Sequence, residues 1–345
     1  MGTATAKTVI GTGKVGFDDA SAAGPATAIA EPFGVVIGPD DALYFCDLGN
    51  HRIRRVDLAK KEVSTVVGTG EQGSSGDGGR AVDARIDEPY EIRFDAQGNL
   101  IFVDKSAHVV RRVDRQTGVI EPVAGSGEAG FSGDAGPATQ ARLKEPHSIE
   151  IGSDGSLYIA DILNHRIRRV DPATGTIETF AGTGEQAPTP DGAPLAGTPL
   201  NGPRALAFDE LGDLYLALRE GNAVYRIDMQ ARSAHHVAGT AEFGYAGDGS
   251  AARLAMLSGP KGISVDASAI YIADTESHTI RRIDRTSGMI DTVMGDGTQH
   301  DGPDGDPLAC GLARPHGVFV KDGSLYVGDT DNHRVRAMEL FPRPQ

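Results

Sequence analysis

Apolar residues in this chain come in short runs, each closed by a polar turn, and the runs recur in a fixed order. Between residues 146 and 182 the order is PHSIEIG, the turn SDGS, LYIAD, the loop ILN, HRIRRVD, the turn PATG and TIETFAG. Runs rich in Val, Ile, Tyr and Phe and bounded by Gly, Asp and Pro predict four short strands joined by turns. No stretch sustains the 3.6-residue period of an amphipathic helix.

The four-strand pattern repeats. An apolar run closed by Asp, then a His or Asn, then an Arg-rich strand is found as FCDLGNHRIRRVD (45–57), FVDKSAHVVRRVD (102–114), IADILNHRIRRVD (159–171), IADTESHTIRRID (272–284) and VGDTDNHRVRAME (327–339). A looser copy, LALREGNAVYRID (216–228), completes the series. The prolines ahead of the copies, Pro32, Pro89, Pro146, Pro203 and Pro260, stand 57 residues apart, and Pro315 follows after 55. A fixed period of this size marks a repeat architecture. Four-stranded units set around an axis protect their sheet edges by closing into a ring. The prediction is an all-β, six-bladed β-propeller of antiparallel blades, with blade cores starting near 32, 89, 146, 203, 260 and 315. Residues 1–345 form one unit, because no blade can bury both of its faces alone. The sixth copy ends at Phe341 to Gln345 with three strands spent. The segment KTVIGTG (7–13) matches STVVGTG (64–70) and ETFAGTG (178–184). It is expected to supply the missing outer strand and close the ring.

Composition narrows the function classes. A net charge of −15 argues against nucleic acid and anionic membranes as partners. No apolar run is long enough to span a bilayer. The N-terminal residues lack the apolar stretch of a signal peptide, so a cytoplasmic location is expected, or a secreted or periplasmic one if a leader has been removed. Of the two cysteines, Cys46 sits in an apolar strand and reads as a small core residue. Phosphate-binding Gly loops, a dinucleotide fold and a Ser or Cys nucleophile motif are all missing, so no organic cofactor is expected.

The fuller pattern, Pro-x-Gly-Val followed by Asp-Gly-x-Leu-Tyr, an apolar pair, Asp-x-x-Asn-His-Arg and Ile or Val, resembles the NHL repeat. Its cores are Asn50-His51-Arg52-Ile53, Asn164-His165-Arg166-Ile167 and Asn332-His333-Arg334-Val335. The resemblance covers essentially the whole chain and implies the propeller fold. Members of the family bind proteins, bind RNA or catalyse, so function has to come from the site.

Residues shared by nearly every blade read as structural. His51, His108, His165, His278 and His333, beside Asp47, Asp104, Asp161, Asp274 and Asp329, are expected to hold loops and blade junctions together. Each Arg pair should send one side chain to each face of its strand. The spacer acids Asp77, Asp134, Asp191 and Asp248 read as turn residues, with calcium in the 296–306 loop (Asp301, Asp304, Asp306) the less favoured alternative.

Positions that vary are free to serve a ligand. After the repeated Pro come Phe33, Tyr90, His147, Arg204, Lys261 and His316; before it come Glu31, Glu88, Glu145, Gly202, Gly259 and Arg314. One half of the channel mouth is thus acidic and aromatic and the other cationic. Blade four has Leu218 in place of the loop Asp, followed by Arg219. Phe33, Arg204, Arg219, Lys261 and Arg314 are the candidate substrate-binding residues, and an Arg pair suits a carboxylate. Pro146-His147 and Pro315-His316 are similar to the Pro-His contexts of the peptidyl-hydroxyglycine amidating lyases, which are also propellers with NHL-like repeats. That likeness implies a divalent metal, zinc or another transition ion, on His147 and His316, and stops at those two. A third ligand would have to be Glu91, which replaces the small residue found there in every other blade, or Glu145 or Glu88. Hydrogen-bonded pore histidines are the rival reading. Tyr90, Glu91 and Glu145 are the acid–base candidates. A metal-assisted lyase or hydrolase acting on a small polar or anionic molecule is the leading expectation. A non-catalytic propeller that binds a ligand or a protein partner is the alternative.

Overall fold

The structure, a computed structural model, describes residues 4–18 and 24–340. Residues 1–3 and 341–345, the two ends of the predicted single unit, lie outside the described residues. Six antiparallel sheets follow one another along the chain as blades. Blade one is built from Pro32–Ile37, Leu43–Asp47, Arg52–Asp57 and Glu62–Val67. Blade two runs from Pro89–Phe94 to Ile120–Ala124, and blade three from Pro146–Ile151 to Ile177–Ala181. Blades four and five start at Pro203–Phe208 and Pro260–Val265, and each gains a short fifth strand, Ala193–Pro194 and Ser250–Ala251, from the spacer. Blade six starts later than its repeat suggests, at Val318–Lys321. Its outer strand is Ala6–Ile10, paired with Arg334–Glu339. The ring is therefore closed by the N-terminal segment. Among the described residues no helix is long and apolar enough to cross a membrane.

Apolar side chains packed between neighbouring blades form the core, with Phe45, Phe102, Ile159, Leu216, Ile272 and Leu325 fully buried on equivalent strands. Buried ion pairs supplement them. Asp47–Arg54, Asp104–Arg111, Asp161–Arg168, Asp274–Arg281 and Asp329–Arg336 are closed at 2.7–3.6 Å with both partners at most 1% exposed. Each Asp also accepts a backbone N–H, from Ala30, Asp87, Lys144, Ser258 and Ala313 in turn. Burial of a charge is tolerated only with such complete pairing. The spacer acids are more than turn residues: Asp77, Asp134 and Asp248 pair with Arg111, Arg168 and Arg281, and Asp301 and Asp304 with Arg336. Blade four dispenses with the charges together. Leu218 stands for the Asp and Tyr225 for the Arg, and the Tyr225 hydroxyl donates to the Thr189 carbonyl at 2.5 Å.

The repeated His lies at the end of the short turn after each loop Asp, in the left-handed region (φ 48–58°) that His and Asn enter more readily than most residues. In three of the five, Nδ1 accepts a backbone N–H from the next blade. His108 takes that of Glu145 (3.2 Å), His278 that of Arg314 (3.1 Å) and His333 that of Glu31 (3.1 Å). Asn222 does the same for Gly259 at 2.9 Å. Nδ1 of His51 and of His165 is buried without a partner. These histidines are latches between blades.

Candidate functional site

The inner strand of every blade begins at one face of the ring. In blades one to five the strand register shifts just after the repeated Pro. A bulge re-aims a side chain, and here it turns the residue after Pro into the mouth of the channel. The residue before Pro is left-handed in every blade, at φ 51° for Glu31, 60° for Glu88, 47° for Glu145 and 48° for Arg314, with Gly202 and Gly259 in the other two. Phe33, Tyr90, His147, Arg204, Lys261 and His316 meet there and line a recess of about 340 Å³ with Glu31, Glu88, Lys105, Arg219, Arg314, Thr330 and Asp331. All six blades contribute. A slightly larger cleft, about 420 Å³, lies at the outer edge between the last blade and blade one, and draws residues from those two alone.

Aromatic rings fill one side of the mouth. The centroids of His316 and Phe33 are 4.2 Å apart, those of Phe33 and Tyr90 4.5 Å, and those of Tyr90 and His147 4.5 Å. Cations fill the other. Glu276 holds Lys261 at 2.7 Å and Arg314 at 3.1 Å, Glu220 holds Arg219 at 2.5 Å, and Glu88 holds Lys105 at 2.6 Å. Burial alone would raise the Glu276 carboxyl, but Arg314 and Lys261 keep it down at about 2.

Arg204 differs from all of these. It is 7% exposed, and its guanidinium lies over the Tyr90 ring at 4.8 Å. Among the described residues no hydrogen bond or ion pair reaches it, and its Nε is buried without a partner. Burial and the nearby Arg219 push its pKa down to about 9, and Lys261, also buried, is lowered to about 8. A guanidinium keeps its charge at neutral pH. The mouth therefore contains a nearly buried positive charge that no carboxylate contacts directly, although Glu220 and Glu276 stabilise it from a distance.

The two histidines are neutral. Nδ1 of His147 donates to the Glu145 carbonyl at 2.6 Å, and Nδ1 of His316 to the Arg314 carbonyl at 2.8 Å. A carbonyl can only accept, so the proton sits on Nδ1 and Nε2 is left as an acceptor. Burial, then the surrounding cations, lowers His147 to about 3 and His316 well below its ordinary value.

A metal does not fit this set. Glu91, the expected third ligand, is not at the mouth: its carboxylate pairs with Arg93 at 2.6 Å, and Arg93 continues to Glu150 at 2.9 Å and to the Leu206 carbonyl at 3.4 Å. The residues matching Glu91 in the other blades are Gly34, Ser148, Ala205, Gly262 and Gly317, and a Cβ at Gly34 would stand 3.1 Å from the Glu91 carboxylate. Glu145 serves through its carbonyl, and Glu88 is held by Lys105 and Ser106. Among the described residues no group of three His, Cys, Asp or Glu is arranged around a cation. Lys261, Arg204 and Arg219 would also repel one. Elemental analysis after incubation with zinc, iron, manganese and copper is accordingly expected to find no stoichiometric ion. Near-stoichiometric metal lost in a His147→Ala/His316→Ala variant would reverse this assignment.

Glu276 and Glu220 escaped the sequence reading, although the repeat contained the clue. Both stand two residues after the loop Asp position, where other blades have Gly49, Ser106, Leu163 and Asp331.

Family models match the C-terminal part of the chain, the "Teneurin NHL domain" at residues 240–314 and the "NHL repeat" at 312–338. The NHL repeat-containing protein 2 of Bos taurus is 25% identical over 335 residues, which is 90% of this chain and 39% of that protein. The chain thus spans less than half the length of that relative. A Bacteroides thetaiotaomicron protein of unknown function superposes with a TM-score of 0.72 at 17% identity, covering 98% of this chain and 76% of its own. The virginiamycin B lyase of Staphylococcus aureus gives 0.53 at 13% identity, covering 90% and 96%. At these identities the structural likenesses show the fold alone. With the six-fold sequence repeat and the closed ring in agreement, the chain is a six-bladed β-propeller, and its residues 240–338 match NHL family models.

Proposed function

We propose that the channel mouth is a small-molecule site that binds an organic anion through Arg204, and that its chemistry is of the lyase or hydrolase type. The single observation behind this reading is the unpaired Arg204. A buried cation with no partner costs several kcal/mol, roughly, and such a cost is kept where a ligand offsets it. Lys261 and Arg314 share one carboxylate, Glu276, so the same corner has further positive charge to offer.

The neutral imidazoles supply the second half of the reading. A base with its pKa near 3 is a poor proton acceptor at neutral pH. Burial contributes most to that low value, and the neighbouring cations Lys105, Arg219 and Lys261 add to it. An anion seated on Arg204 offsets the cationic part and so shifts His147 upward, towards a role for its Nε2 as proton acceptor. Lyase activity in a structural neighbour is consistent with this use of the ring, and says no more.

The test is calorimetric titration of small carboxylates across pH. Lys261 titrates near 8, and its proton is lost as pH rises. Affinity should therefore hold up to about pH 7 and weaken through pH 8 to 9, with proton uptake on binding visible as a dependence on buffer ionisation enthalpy. Affinity that stays flat from pH 7 to 10 would count against the cationic corner as the binding element. No binding of any carboxylate at pH 7 would end the proposal.

A further inference from the structure

Opposite Arg204 the mouth carries an unpaired group of the other sign. Blade one faces blade four across a six-bladed ring, and Glu31 of blade one lines the same recess as Arg204. Among the described residues no hydrogen bond or ion pair reaches the Glu31 carboxylate; its backbone is what is held, with the N–H given to His333 Nδ1 and the carbonyl accepting from Leu48 N–H. Three other carboxylates at the mouth are spent on cations, Glu88 on Lys105, Glu220 on Arg219 and Glu276 on Lys261 and Arg314, while Asp331 accepts from the Gln299 amide at 3.4 Å. The left-handed φ of 51° and the His333 latch, features shared with the matching residues of other blades, set the direction in which Glu31 leaves the backbone. Between the two unpaired charges lies the apolar arc of Phe33 and Tyr90.

We infer that the ligand is a zwitterion, with its carboxylate on Arg204, an ammonium on Glu31 and several bonds of apolar chain between them. This rests on the anion reading of Arg204 given above. The arrangement selects against α-amino acids, whose charges sit too close together to reach opposite blades. It favours ω-amino acids or short peptides with free ends. An ion pair formed in a recess partly screened from water contributes more than an exposed one, because the local dielectric is lower.

The experiment is calorimetry on the full chain with ω-amino acids of three to six carbons, each against the acid of equal length lacking the amine. The best ω-amino acid should bind at least tenfold tighter than its partner acid. In Glu31→Gln that ratio should fall to about one. The unaminated acid should bind at least as tightly as in the wild type, because a negative charge has left the recess, and this also reports an intact fold. Equal affinities in the wild-type protein would overturn the zwitterion and leave the anion site standing. If no acid of either series binds, both readings fall.

Discussion

Replacing Arg204 with Met is expected to weaken carboxylate binding by roughly two orders of magnitude while leaving the propeller as stable as before or more so. A bidentate, charge-assisted contact is worth about 3 kcal/mol, and each 1.4 kcal/mol is about tenfold in affinity. The stability half follows from the site as it stands without ligand. Arg204 contributes no ion pair to the fold, is nearly buried and is repelled by Arg219. Exchanging a buried charge for an apolar side chain of similar volume is commonly neutral or stabilising. Most of the cost to Met is the lost contact with Tyr90, worth about 1–2 kcal/mol where desolvated. A structural arginine gives the opposite pattern, with stability lost and binding lost only in proportion. Urea denaturation and titration of the same variant separate the two, and a variant that unfolds earlier yet still binds would refute the role assigned to Arg204.

Removing residues 1–14 is expected to cost on the order of 5 kcal/mol and to yield an aggregating protein. The strand Ala6–Ile10 buries Ala6 and Ile10 completely. Ile10 alone is worth about 2–3 kcal/mol, and the backbone pairs with Arg334–Glu339 add about 1 kcal/mol each. The segment is tied in further by Thr8, which donates to Asp304 through both its N–H (2.9 Å) and its hydroxyl (2.8 Å), and by Arg334, which donates to the Gly11 carbonyl at 3.0 Å. Domains are stable by only about 5–15 kcal/mol in all, so the loss approaches the whole. The exposed strand Arg334–Glu339 would then template association. A peptide covering residues 4–14, added in excess, should recover monomer. Truncated protein with an unchanged urea midpoint would show that the ring does not depend on this closure.

The architecture was legible because one period governs it. Fifty-seven residues separate the repeated prolines, and the same spacing locates each inner strand, each loop Asp and the outer strand displaced to residues 7–13. Blade number, ring closure and the residues meeting at the mouth all follow. What the period does not encode is reach. Glu91 looked like a ligand because it departs from the small residues of its column, yet Arg93, two residues further along the same strand, claims its charge. Glu276 went unnoticed because its value lies in holding Lys261 and Arg314 from two different blades, a relation that no single repeat contains. Residues 193–194 and 250–251 read as spacer because a two-residue pairing leaves no alternation in sequence.

Arg93 and its two carboxylates are not among the residues that line the recess, which is built from the residues at the starts of the inner strands and the loops beside them. A ligand anchored on Arg204 would therefore be held at that face of the ring. On the proposed binding mode, whatever is attached to the ligand beyond its anchored end would project outward into water. The terminus of a long chain would then satisfy the mouth as well as a free small molecule, with selectivity confined to the last few atoms presented.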